Sequence, residues 1–449
     1  MTSRNSFTEG PILKPLLKFA FPVLVALFLQ SLYGAVDLLI VGQFAESSDV
    51  SAVSTGAQIM STITNAVAGL AMGTTVLLGQ QIGKGEKEEA GKTVGGSIVF
   101  FAILSILLTV VLVLCNTPIT QVMNAPEEAF KATQQYILVC SLGMVFIVGY
   151  NLIGSLFRGL GNSRLPLLTV AIAAVMNIFG DLLLVNVFHL GALGAALATV
   201  ASQAFSVALS FVFIRKLELP FHFKKDMIRF SSSVTKKVLN LGFPICLSDV
   251  LVGISFLVIV AIVNQLGVTA SAGVGVAEKV CGFIMLVPSA FGQSMAAFVA
   301  QNYGAGKMDR AYKALRYGIT TSFVIGVVIA IFSYFRGDLL CGIFSKDREV
   351  VLVGWEYLKA YAIDCLLTAF FFNLNGFFNG CGYTKFVMAQ NLVGGIGVRL
   401  PVSYLMSCIK PVSIFRIGLA TPSASFVQNI MCFFYMFFYV KKKEKQSVK

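Results

Sequence analysis

Five acidic side chains fall well within long apolar stretches of this 449-residue chain, away from their ends: Asp37, Asp181, Asp249, Glu278 and Asp364. A carboxylate at the centre of a bilayer costs about 2.5–3.5 kcal/mol or more, so each demands a partner, a wet cavity or a proton. Asp37 and Asp181 have the richer surroundings. Gln30 and Tyr33 precede Asp37 by seven and four residues, which on a helix puts all three on one face. Asn177 and Asp181 are likewise four apart, and Thr199 lies in the middle of the next apolar stretch. Two carboxylates, an amide and a hydroxyl are hard oxygen donors. They suit Na⁺ by direct coordination, or H⁺ where two acids crowd each other. Asp37, Asn177, Asp181 and Thr199 are therefore the expected ion-coupling set, for sodium or proton, and no resident cofactor is expected.

The second half carries Asp249, Glu278 and Asp364 with two cations, Lys279 and Arg399. Glu278 and Lys279 are sequence neighbours and cannot face each other across a helix. Arg399 is expected to pair with Asp364 or Asp249. Asp249, Glu278, Asp364 and Arg399 join Gln30 and Tyr33 as expected substrate-cavity residues. Other chemistry is poorly represented. There is no Gly-x-x-x-x-Gly-Lys-Ser/Thr phosphate loop, so ATP is not the expected energy source. The two histidines, His189 and His222, lie at a helix end and in a polar loop, where neither builds a triad or a metal site. The nine cysteines show no Cys-x-x-Cys spacing and mostly sit in apolar runs, as small hydrophobes do. The chain does not read as an enzyme.

Composition says what must position these residues. Hydrophobic residues make up 57% of the chain and charged residues only 12%, with a mean hydropathy of +0.83. Soluble domains run near 45–50% apolar and about 25% charged, so lipid is the outer solvent here. This excludes a soluble enzyme, a disordered chain and a disulfide-stapled secreted domain. The apolar runs are continuous rather than alternating, which predicts helices and not a barrel. Twelve spans are expected, at about 16–41, 52–81, 93–115, 130–157, 165–188, 191–214, 241–264, 271–301, 317–335, 350–378, 386–409 and 417–440. Pro22, Pro288 and Pro401 fall within spans and are expected to bend them. The first run is too long, and lacks the exit sequence, for a cleavable signal peptide.

The basic, Ser-rich stretch 215–240 separates an N-terminal lobe, 1–214, from a C-terminal lobe, 241–449. Net charge is +13. One set of loops with both termini holds 25 basic residues against 7 on the other side, which places the termini in the cytoplasm. That bias, rather than a nucleic-acid partner, accounts for the charge, and the Lys441–Lys445 run is an ordinary cytoplasmic end.

The two lobes repeat. Phe21-Pro22 matches Phe243-Pro244, QQIGKGEKEEA from Gln80 matches QNYGAGKMDRA from Gln301, and GSLFRGLGNSR from Gly154 matches NGFFNGCGYTK from Asn375. Six spans per lobe is even, so the repeat is parallel. An all-α polytopic protein follows: twelve transmembrane helices in two six-helix bundles about a pseudo-twofold axis along the membrane normal. Asp37 and Asp181 fall opposite Ile259 and Val402, so the acids belong to one lobe only.

These motifs resemble the multidrug and toxic compound extrusion (MATE) transporters over about residues 12–440, through the Phe21–Gly42 pattern and the paired Gln80, Gln301, Gly154 and Asn375 segments. The resemblance implies a multi-pass protein of the cytoplasmic membrane, working as a monomer, that exports cationic amphipathic small molecules in exchange for H⁺ or Na⁺. It maps Asp37, Asn177, Asp181 and Thr199 onto the cation site of the DinF-like branch, adds Tyr136 and Asn151 as polar lining, and makes Pro22 the bend of the first helix. It departs from the NorM-type pattern in the second lobe, where Val252 and Thr368 stand at the expected acids, with Asp249 and Asp364 one turn away. A lipid-linked oligosaccharide flippase of the same superfamily is the rival. The lipid II type carries a strongly cationic cavity, whereas the spans here hold more acids than bases. A receptor or structural membrane protein would need neither buried acids nor a repeat.

Overall fold

The computed structural model describes residues 7–215, 219–221, 223–440 and 442. His222, part of the 215–240 linker and all of the basic tail but Lys442 lie outside the described residues. The described chain is all helical. Its long elements are α1 (Leu13–Phe44), α2 (Ser47–Lys84), α3 (Lys87–Leu114), and α4, a pair Glu127–Leu142 and Met144–Gly159 bent by 54°. Then follow α5 (Arg164–Val187), α6 (Gly191–Arg215), α7 (Ser232–Asn264), α8 (Val268–Gly304) and α9 (Met308–Gly342). The chain closes with α10 (Arg348–Gly380), α11 (Thr384–Leu392, Val393–Arg399 and Leu400–Cys408) and α12 (Ile414–Val440). Each coincides with one of the twelve expected spans.

Among the described residues nine of these helices are long and apolar enough to cross a membrane, ten with the bent pair. The remaining two are α10 and α11. α10 buries Asp364, Thr368 and Asn373, and α11 buries Gln390, Asn391 and Arg399. A helix shielded by its neighbours can carry polar groups that a lipid-facing one cannot. Of the expected bends, Pro288 follows the break between Ile284 and Leu286, and Pro401 follows the π-helical turn Val393–Arg399. Pro22 differs: it sits inside the unbroken helix α1.

The chain packs as two units. One holds Lys18–Cys246 and Ala300–Gly306; the other holds the segment ending at Leu17 with Leu247–Val299 and Lys307–Lys449. Neither follows sequence order strictly. In the second unit, the segment before α1 is held by its backbone. Arg310 donates to the carbonyls of Phe7, Glu9 and Gly10 at 3.1, 3.3 and 2.7 Å, and Lys307 to that of Thr8 at 3.0 Å. Phe7 packs on Phe298, ring centroids 4.8 Å apart.

In the first unit, α2 is the spine. Thr75 Oγ1 donates to the Ser155 carbonyl (2.8 Å), and Gln301 Nε2 to that of Gly159 (2.8 Å). The ends of α2 and α8 meet backbone to backbone, through residues that are each other's repeat partners. A Cβ on Gly83 would collide with the Gln301 carbonyl, and one on Gly304 with the Gln80 carbonyl. Only hydrogen fits at either position, because a carbonyl cannot swing aside as a side chain can. Gly83→Ala or Gly304→Ala should therefore lower stability by about 1–3 kcal/mol or more. Gly253→Ala, which meets open space, should leave it unchanged or slightly raised. Thermal melts of the purified variants in one detergent check this; equal melting temperatures for all three would refute it.

Candidate functional site

The Asp37–Asp181 constellation is built by three helices. Asp37 lies in the second half of α1, Asn177 and Asp181 on α5, and Thr199 on α6. Asp37, Asn177 and Asp181 are buried, at 7%, 1% and 0% exposure, and Thr199 is half-buried at their edge. Thr199 Oγ1 donates to Asp37 Oδ2 at 3.4 Å, and Asn177 Nδ2 reaches Thr199 Oγ1 at 3.5 Å, both long bonds. The Asn177 amide lies within reach of the Asp37 carboxyl, and so does the Asp181 carboxyl. That last contact joins two acceptors, so it is a hydrogen bond only when one carboxyl carries a proton. Asp37 Oδ1, both Asp181 oxygens and Asn177 Oδ1 are buried without any donor.

Local structure explains how the acids come to face inward. Asn177 and Asp181, one turn apart, share the buried face of α5 with Val170, Ala173 and Ala174. Immediately after Asp181 the helix widens into the π-helical turn Leu182–Val187. Such a turn takes in an extra residue and re-aims the side chains beyond it. On α4, Tyr136 is buried and lies within electrostatic reach of both acids. Its ring occupies the space that a Cβ on Gly56 would fill. Tyr33 stands one turn before Asp37 on α1 and lies within reach of Gln203.

Two of the expected lining residues are turned to other partners. Gln30 Nε2 donates to Tyr150 Oη at 2.9 Å, and Asn151 Nδ2 to the Ile147 carbonyl of its own helix at 2.8 Å. Gln203 and Tyr150 were not anticipated. Gln203 follows Thr199 by four residues on α6, so the same helical spacing could have found it.

In the C-terminal half the expected Arg399 pairing needs correction. Among the described residues Arg399 forms no ion pair within 4.0 Å of any acid. Its Nη1 donates to Ser255 Oγ at 2.8 Å, and its Cζ lies 4.3 Å from the centroid of the Phe256 ring. The reason is competition: α7 offers the guanidinium a hydroxyl and an aromatic face at shorter range than either acid. Glu278 accepts from Tyr357 Oη at 2.8 Å and Asp364 lies within reach of Ser425, with Arg399 acting on both only through its field. Asp249 and Lys279 are exposed.

The donor set suits a small hard cation or a proton. Among the described residues there is no group of three or more His, Cys, Asp or Glu side chains arranged to hold a metal ion.

Comparison with known proteins agrees with this architecture. The MatE family model matches twice, over residues 22–183 and 244–405. A probable multidrug resistance protein, YoeA of Bacillus subtilis, is 26% identical over 433 residues, covering 95% of this chain and 94% of its own. The multidrug export protein MepA of Staphylococcus saprophyticus is 23% identical, covering 89% of this chain and 88% of its own. Among solved structures, an outward-facing multidrug resistance MATE family transporter of the MOP superfamily is similar with a TM-score of 0.92 at 18% identity, over 99% of both chains. The chain is thus a multi-pass membrane protein of the MatE family, the multidrug and toxic compound extrusion transporters.

Proposed function

We propose that this chain is a cation-coupled antiporter of the cytoplasmic membrane, both termini inside, that works as a single chain. It exports cationic amphipathic small molecules in exchange for H⁺ or Na⁺. The observation that carries the reading is the buried contact between Asp37 and Asp181, with three carboxylate oxygens lacking donors. Two facing carboxylates in an apolar interior repel unless something positive or a proton joins them. A proton or Na⁺ would join them; a cationic substrate would be held by the same negative charge. Ion and substrate then exclude each other electrostatically. An ion drives a conformational equilibrium only through unequal affinity for the two states, and a pocket that is alternately wet and sealed provides that inequality. Pro22 leaves the early part of α1, which carries Asp37, without one hydrogen bond and is the place where that helix gives. The multidrug names of the relatives support small-molecule substrates, and the excess of acids over bases within the spans supports cationic ones.

Asp37→Asn and Asp181→Asn each remove the exchangeable charge while keeping shape and hydrogen-bonding capacity. Each should cut gradient-driven ethidium efflux at least about tenfold, the equivalent of some 1.4 kcal/mol, with expression and melting temperature nearly intact. Asp249→Asn should do less. Efflux from cells at matched protein levels, and from vesicles with an imposed Na⁺ or H⁺ gradient, measures this. Wild-type rates in Asp37→Asn would sink the mechanism.

The competition also has a sign. Loading the pair with H⁺ or Na⁺ removes negative charge, so ethidium affinity in purified protein should fall as pH drops or as Na⁺ rises. Dependence on one of the two should be present in wild type and flat in Asp37→Asn. Fluorescence titrations across pH and Na⁺ series read it directly, and an affinity that rises on acidification in zero Na⁺ would contradict the scheme.

A further inference from the structure

The two repeats carry their polar clusters in corresponding places but with different charges. The Gly-x-Gly turns Gly159–Gly161 and Gly380–Gly382 register 221 residues apart. The family-model copies start at 22 and 244 and end at 183 and 405, a register of 222 at both ends. Between the glycine turns and the later end lies the π-helical turn Val393–Arg399 of α11, and one inserted residue is what such a turn accommodates. From the last residue of that turn onward α11 therefore registers on α5 at 222. That moves the partner of Asp181 from Val402 to Ser403, and it makes Arg399 the partner of Asn177. At the same register on α7, Ser255 partners Tyr33 and Ile259 partners Asp37. On α10, at 221, Tyr357 partners Tyr136.

The N-terminal copy thus offers an amide and two acids, and no cation. The C-terminal copy puts a guanidinium where the amide stands. Arg399 is 6% exposed, clamped by Ser255 and by the Phe256 face, and its Nε is buried without a partner. Phe256, the ring under the guanidinium, packs against the core cluster that contains Tyr357, which donates to Glu278 at 2.8 Å, and the field of Arg399 falls on Glu278 and Asp364. Asp364 is 2% exposed with Oδ1 unpartnered. Cys281 of α8 with Tyr361 and Cys365 of α10 are the other titratable groups facing the cluster. Thiols and phenols of ordinary pKa carry no charge near neutral pH. A guanidinium does not lose its proton in proteins.

We propose that Arg399 is a resident counter-ion: a tethered cation that fills, in the C-terminal copy, the role that an exchangeable cation takes in the N-terminal copy. Arg399 then neutralises one of the two C-terminal acids throughout the cycle while the other keeps its proton, so the cluster contributes no coupling ion. The inference rests on the antiport reading for the N-terminal copy.

The test counts cations bound per purified full-length chain, by ²²Na⁺ binding at fixed pH and by proton uptake after a pH step. Arg399→Asn, which gives the C-terminal copy the residue type of its partner, should bind one more cation than wild type. Adding Glu278→Gln and Asp364→Asn should abolish that gain. With Arg399 intact, Glu278→Gln should leave the wild-type count unchanged, a result readable even where Arg399→Asn fails to fold. An unchanged count in folded Arg399→Asn, or one cation lost in Glu278→Gln alone, overturns the proposal. The gain should also appear in an Asp37→Asn background. A count that Asp37→Asn does not lower, with the Arg399→Asn gain preserved, would instead defeat the N-terminal coupling site and leave Arg399's role standing.

Discussion

Everything in the N-terminal unit answers to one constraint: two carboxylates meet in an interior with almost no donors to offer them. A lone acid at that depth would be costly, and a pair is costlier until a proton or cation joins it. The contact is held from three directions. α1 brings Asp37, α5 brings Asn177 and Asp181 one turn apart, and α6 supplies the Thr199 hydroxyl. Tyr136, seated over Gly56, closes the group from α4. A larger residue at 56 would displace that ring, so a glycine far from the chemistry in sequence fixes where the ring stands.

The repeat shows how one architecture carries two electrostatic solutions. In one copy the acids lack an internal cation. In the other a guanidinium is built in, held by a hydroxyl and an aromatic ring rather than by a close ion pair. A bidentate pair within hydrogen-bond distance would fix Arg399 to one acid. A guanidinium at longer range spreads its field over both Glu278 and Asp364 instead, while Tyr357 supplies Glu278 with its hydrogen bond.

Much of this was legible in the sequence because lipid imposes blunt rules. Long apolar runs located the twelve helices, acids within those runs located Asp37 and Asp181, and four-residue spacing put Asn177 on the face of Asp181. What escaped depended on competition among neighbours. Gln30 shares a helical face with Asp37, yet Tyr150 claims its amide; Asn151 bonds its own helix. Arg399 was assigned to an acid by charge alone, whereas geometry favours Ser255 and Phe256. Spacing arguments also assume 3.6 residues per turn. The π-helical turns at Leu182–Val187 and Val393–Arg399 break that assumption next to the polar clusters, and a repeat register counted straight through them slips by one residue. The docking of the segment before α1 on the start of α9 has no side-chain signal, since Lys307 and Arg310 recognise carbonyls that every residue possesses.

The paired approach of Gly83 to Gln301 and of Gly304 to Gln80 has the form of an isologous contact, in which each partner presents the same two elements to the other. In a symmetric homodimer one gene spells such a contact once, and any mutation strikes both sides together. Here a single chain spells it twice. A change at one side leaves the other in place, so drift at this junction is halved in its effect and the two sides are free to diverge. The same freedom, exercised deeper in the bundles, is what lets an asparagine on one side face evolution separately from an arginine on the other.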